Sequence, residues 1–398
     1  MFKQAHGYSL VTAVMPNSSS QRVLPALLAD EGSNAFTWKA RGTLLHDSLW
    51  KRFFPPISPA KSMLAMLVPD MEVGGVVNRV VEEGRLHQQA TGAVFSTPCD
   101  HVFFGPDFHV WPERPGAGLA RESHALTENL SILYCIVGHQ LADKVSKAAI
   151  RAGAHGPIVY YSEGRGLRDR LGWLRITKEH EKEVLMVLAD ESNADEVFDA
   201  MALAGELHLP GKGFMYRLSI DKGMFNLPSR VSHHHYDANM QQIINAIDHL
   251  SGHTHWRDQS VFDVGGRGRG VGLDSLPKEE RVLKDQICIS ALVARSQCQG
   301  VMDMMLDAGA PGLNLTYARF TTSEASASLA GARVNEEYGM PRSIMDAKHA
   351  ESLCTSVDEV AERLGFTDLC VAVHPVPAVA TYVPGGKDYR QPAPFAFA

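Results

Sequence analysis

The sequence is short of three things. No stretch approaches the roughly 18 consecutive apolar residues that a membrane span needs, so no membrane partner is expected. Positive charge is not in excess either: 38 Lys and Arg stand against 45 Asp and Glu, a net charge of −7, which gives no global attraction to nucleic acid or an anionic surface. Finally, the six cysteines at 99, 135, 288, 298, 354 and 370 include no C-x-x-C pair, which argues against a zinc ribbon or a redox motif. Cys135, Cys288 and Cys370 sit in apolar strand-like runs and read as buried free thiols. The opening segment MFKQAHGYSLVTAVMP carries one lysine, a short apolar run and no small-residue cleavage site, so a cytoplasmic location is expected. With 398 residues, 45% of them hydrophobic and 21% charged, the chain has an ordinary globular composition with room for two or three domains.

Self-similarity is the strongest positive signal. VTAVMPNSSSQRVLPALLADEGSNAFTWKARG from Val11, LYCIVGHQLADKVSKAAIRAGAHGPIVYYSEGRG from Leu133 and ISALVARSQCQGVMDMMLDAGAPGLNLTYARF from Ile289 each read as strand, polar break, amphipathic helix, glycine and strand. A second half follows. The stretch from Met63 through Phe95 matches the stretch from Glu183 through Met215 at an offset of 120 residues, again strand, helix, glycine turn and strand. Asp70 and Asp190 fall near those helix starts, where a carboxylate accepts from free N–H groups and complements the dipole. In the third copy SLCTSVDEVAERLGFTDLCVAVHPVPAVATYV supplies the helix and last strand. The pattern predicts an α+β fold of three tandem ferredoxin-like βαββαβ units. Their strands are too apolar to leave a sheet face in water, so they are expected to pack as an intrachain pseudo-trimer. The expected divisions are unit 1 over 1–110, a linker over 111–129, unit 2 over 130–226, an insertion over 227–284, unit 3 over 285–385 and a tail over 386–398.

The second copy, Leu130 to about Met224, resembles a nitrogen-regulatory PII-type signalling protein. The features that carry this are the β-α-β opening ending in GRG, a polar loop before the third strand, and ALAGELHLPGKGFMYRLSI after the second helix. Members of that family are trimers that bind adenine nucleotides in clefts between subunits. The resemblance therefore implies that Gly164, Arg165 and Gly166 form the loop base, that Gly211 and Lys212 form a phosphate-binding turn, and that an adenine nucleotide is the cofactor. The turn reads LPGKG, without the acidic residue that usually stands between two glycines there, and copies one and three have no lysine in place. Other segments are also candidates. The Gly/Arg-rich FDVGGRGRGVGLDS offers Arg267 and Arg269 for an anionic ligand.

Ser232 to Trp256 holds six of the 18 histidines. Asp237 is placed to cap a helix, ANMQQIINAIDHL, and the paired spacings His233/His235 and His253/His255 put two imidazoles on one side of an extended strand. His249 and His253 share a face if a helix continues. Together with Asp237 these form a candidate site for a divalent transition metal, zinc, nickel, copper or iron. Two functions stay open. One is a PII-like sensor that binds a nucleotide or small anionic metabolite in a cleft between units and meets a protein partner through its loops. The other is a metal-dependent enzyme, a hydrolase or lyase on a small molecule, that uses the histidine insertion; a non-catalytic metal protein fits the histidines alone.

Overall fold

The computed structural model describes residues 2–30, 33–42, 60–88, 91–111, 126–166, 181–226, 283–323, 336–349 and 361–381. It is an α+β fold dominated by one curled antiparallel sheet. The first strands and helices are β1 (Lys3–Ala5), β2 (Tyr8–Pro16), α1 (Asn17–Leu27), β3 (Asn34–Gly42), β4 (Ala60–Pro69), α2 (Asp70–Gly84), β5 (Gly92–Cys99) and β6 (His101–Phe104). Next come β7 (Leu130–Gly138), α3 (Ala142–Arg151), β8 (His155–Gly166), β9 (Glu181–Asp190), α4 (Ala194–Ala204), β10 (Gly213–Ile220) and β11 (Gly223–Asn226). The last are β12 (Gln286–Ala294), α5 (Cys298–Asp307), β13 (Gly312–Thr322), β14 (Glu336–Asp346), β15 (Leu369–Val376) and β16 (Ala378–Thr381).

The central strands are apolar at nearly every position because both faces are covered. Side chains alternate along a strand. In β7, Leu133, Cys135 and Val137 pack with Val145 and Ala149 of α3 and Val197 and Met201 of α4. The intervening Ile132, Tyr134 and Ile136 enter an inner cluster with Val14 and Met63 from early in the chain and Cys288 and Ile344 from late in it. In β12, Ile289 and Val293 likewise face α5, and Cys288 points inward.

Neighbouring strands run β5-β2-β4-β3, then β10-β7-β9-β8, then β15-β12-β14-β13. The short strands continue elsewhere: β6 pairs with β15, β11 with β5 and β16 with β10. β3, β8 and β13 pair with one another. Sheet hydrogen bonds therefore tie segments hundreds of residues apart.

Local signals account for several joints. α2 ends with Arg85 in the left-handed region (φ 54°), and Leu86 N–H donates to the Val81 carbonyl at 2.8 Å. α4 ends the same way, with Glu206 at φ 56° and Leu207 N–H donating to the Ala202 carbonyl at 3.1 Å. Sequence places glycines at these turns, yet the left-handed residue is the one after each glycine. The buried Leu86 and Leu207 anchor the exits. At the starts of β5 and β10, Gly92 (φ 152°) and Gly213 (φ 144°) lie against the carbonyls of Val14 and Ile136 so closely that a Cβ would collide with them. Asp70 opens α2, where its charge suits the dipole, but its carboxylate accepts from Ser9 Oγ at 2.7 Å and not from a helix N–H, and Asp190 ends β9 ahead of α4, beside His155 Nε2 at 3.5 Å. The five described cysteines are free and buried, as their apolar settings imply. Among the described residues no helix is long and apolar enough to cross a membrane.

Candidate functional site

Gly164, Arg165 and Gly166 end β8 in the seam with β13, where they lie across from Asn314, Leu313 and Gly312. A Cβ at Gly164 would meet the Lys182 side chain at 3.0 Å, a tight contact with a flexible neighbour. Arg165 spans the seam. Its Nη1 donates to Gln299 Oε1 on α5 at 2.7 Å, and its Nη2 lies 3.7 Å from Glu163 Oε2. Gln299 in turn donates to the Asp303 carboxylate at 3.1 Å. Arg295, paired with Glu337 and stacked 4.5 Å from the Tyr317 ring centre, borders the same patch. The result is an exposed polar surface with two guanidinium groups joined to different strands.

Gly211 and Lys212 form the turn into β10. Gly211 takes φ 77°, which a side chain rarely adopts. Lys212 Nζ sits 2.7 Å from Glu206 Oε2, and Lys144 Nζ reaches the other oxygen of that carboxylate at 3.0 Å. Hydrogen bonds from these two ammonium groups hold the exposed Glu206 carboxyl down to about 2. Thr381 of β16 donates its hydroxyl to the Gly213 carbonyl at 3.4 Å, so a late strand borders this turn. The two glycine segments lie at the same end of the β10-β7-β9-β8 ribbon but on its outer strands. With β7 and β9 between them and strands about 4.8 Å apart, they stand about 14 Å from each other. That separation suits an extended ligand rather than a single phosphate.

Arg41, at the end of β3, holds another seam. It pairs with Asp143 at 2.9 Å and with Glu183 at 3.3 Å. Glu183 is buried, and its second oxygen accepts the Ala142 N–H at the start of α3 at 3.1 Å. One N–H of the first turn of α3 is thereby already satisfied by a carboxylate from β9.

One feature had no sequence signal. Arg342 on β14 lies across from Ser290 on one side and Asn314 on the other, and Asn314 is itself across from Gly164. Its Nε donates to Ser290 Oγ and its Nη1 to Tyr216 OH, both at 2.9 Å, and the guanidinium sits 5.1 Å from the Tyr134 ring centre. Tyr134, Tyr160 and Tyr216 are all pushed up, first by burial, against the pull of Arg342. Cys288 is raised by burial too. The neighbours of this cation are therefore neutral at neutral pH.

The candidate metal ligands His233, His235, Asp237, His249, His253 and His255, together with Arg267 and Arg269, lie outside the described residues. Among the described residues no group of three or more His, Cys, Asp or Glu is arranged to hold a metal.

No family model matches the chain, and no curated protein does. Among solved structures, an aspartate kinase from Synechocystis aligns over 94% of this chain at 9% identity and a TM-score of 0.20, and the chain spans 44% of that protein's length. A protein from Fusobacterium nucleatum assigned as a monooxygenase aligns over 55% of this chain and 93% of its own at 8% identity and a TM-score of 0.19. Likenesses this slight carry no argument about activity.

Proposed function

We propose that the chain is a PII-like sensor of three tandem ferredoxin-like units packed as an intrachain pseudo-trimer, binding a nucleotide or small anionic metabolite in a cleft between units. The repeated strand order supports the architecture: fourth, first, third, second in each of three consecutive blocks, which is the order of a ferredoxin-like sheet. A cyclic exchange adds to it. The fifth strand of the first block joins the third, that of the third joins the second, and that of the second joins the first. Such a cycle is what three subunits around a threefold axis would make.

The observation that carries the ligand reading is the seam at Gly164–Gly166. It is lined by a glycine backbone and by Arg165, and the Gly211-Lys212 turn stands at the same end of the ribbon. Backbone N–H groups and two cations suit phosphate oxygens. An extended nucleotide spans the gap between them.

The test is calorimetric titration of untagged protein with ATP, ADP and AMP, with and without magnesium. Saturable binding is expected, weakened about 10- to 100-fold in Lys212→Ala and in Arg165→Ala, the cost of one charge-assisted bond. An absence of heat with every nucleotide at millimolar concentration sinks the reading. Stoichiometric metal in chelator-free protein, lost in a His233→Ala/His235→Ala/His253→Ala variant, would favour the enzymatic alternative instead.

A further inference from the structure

Arg342 lines a cavity of about 30 Å³ that is walled by residues from early, middle and late in the chain, among them Thr12, Tyr134, Tyr160 and Asn314. A guanidinium is protonated at any pH a folded protein meets. Burying it without an opposite charge is costly, because the attraction that offsets desolvation is missing. Among the described residues no carboxylate lies within ion-pair distance of Arg342, whereas the buried Arg217, likewise bound to a serine hydroxyl, has both Asp195 and Glu191. The Tyr134 ring face meets part of the need as a cation–π partner. Two of the five N–H donors go to Ser290 and Tyr216.

The rest of the wall is suited to an acceptor. Asn314 and Thr316 are each 6% exposed and line the cavity, and their side chains have no hydrogen-bond partner among the described residues. Each can donate inward. Arg342 is half-buried and lines this cavity. A water needs about 10–15 Å³, so the space takes one small ion and not a nucleotide.

We propose that the Arg342 cavity binds one small monovalent anion of the halide class, held where strands of all three sequence blocks converge. The guanidinium supplies the charge, and the amide of Asn314 and the hydroxyls of Thr316, Tyr134 and Tyr160 supply further donors. Bound there, the ion stabilises the joined blocks rather than any one of them. This site is independent of the nucleotide cleft, and neither stands or falls with the other.

The experiment replaces gluconate, too large for the cavity, by chloride or bromide at constant ionic strength while urea unfolding is followed. For one site the unfolding constant is expected to fall about tenfold for each tenfold rise in halide beyond the dissociation constant. In Arg342→Met the dependence should vanish. Because that variant could fail to fold, crystals of the unaltered protein are also grown in bromide, with an anomalous peak expected within hydrogen-bond distance of the guanidinium. An unfolding constant indifferent to halide, a dependence that survives in Arg342→Met, or a cavity without a bromide peak overturns the proposal.

Discussion

His374 on β15 is fully enclosed, and its partners fix its tautomer. Its Nδ1–H donates to the Pro98 carbonyl at 2.9 Å, which leaves Nε2 as the acceptor 4.0 Å from Cys99 Sγ. Burial pulls the imidazole from 6.5 down to about 4; the Pro98 bond opposes this and the Arg342 charge adds to it. The unfolded chain therefore takes up a proton near pH 6.5 that the folded one refuses until about pH 4. Stability should fall as pH drops through that window, by on the order of 3 kcal/mol from this residue. Urea titrations at pH 7.5 and 4.5 should show a smaller difference in His374→Gln than in the unaltered protein. Equal differences would mean the ring is protonated where it stands. Glu206, depressed to about 2 by its two lysines, gives up its contribution only from about pH 4.5 downward, so the two effects separate. Of these residues only Lys212 was legible as a candidate: a lysine between glycines in a turn is a local pattern. Arg342 was not. In GMPRSIMD it looks like any surface arginine, and its partners Ser290 and Tyr216 lie 52 and 126 residues away.

Between elements, the joint at Arg41 shows how charge fixes the seam of β3 with α3 and β9. Glu183 is buried, so removing its cation leaves a carboxylate without its charged partner, whereas Asp143 is exposed and water replaces what it loses. Arg41→Ala is expected to destabilise by about 2–4 kcal/mol and Asp143→Ala by about 0–1 kcal/mol, read as chemical-denaturation midpoints. Pairing Arg41→Ala with Glu183→Gln should recover part of the loss. Additive losses would show that the ion pair is incidental. At this scale the sequence was informative about what each segment becomes. β7 and β12 announced strands buried on both faces by their mostly apolar runs, and α2 and α4 announced themselves by helical spacing. Asp70 stands in the first turn of α2 as its position implies, but its carboxylate accepts from Ser9 on another strand and not from its own helix.

Across the whole molecule, the β3, β8 and β13 pairings and the exchanged strands β6, β11 and β16 give one hydrogen-bonded network instead of separable parts. The inner cluster draws on β2, β4, β7, β9, β12 and β15 at once. Scanning calorimetry should therefore show a single transition whose calorimetric and van't Hoff enthalpies agree. Three independent domains of similar size would give a ratio of about three instead.

The sequence by itself determined the α+β class, the strand or helix character of many segments, the apolar faces of the sheet and the buried free thiols Cys135, Cys288 and Cys370. Each of these follows from side-chain period and apolar content within a dozen residues, the range over which backbone geometry is set locally. The tertiary structure alone decided which edge each short strand joins, which carboxylate meets Arg41, and that Arg342 stands at the centre among tyrosines. Edges of a sheet present nearly identical rows of N–H and C=O groups, so no local pattern chooses among them. A buried charge is likewise defined by what surrounds it in space, and its surroundings come from segments that the chain brings together only on folding.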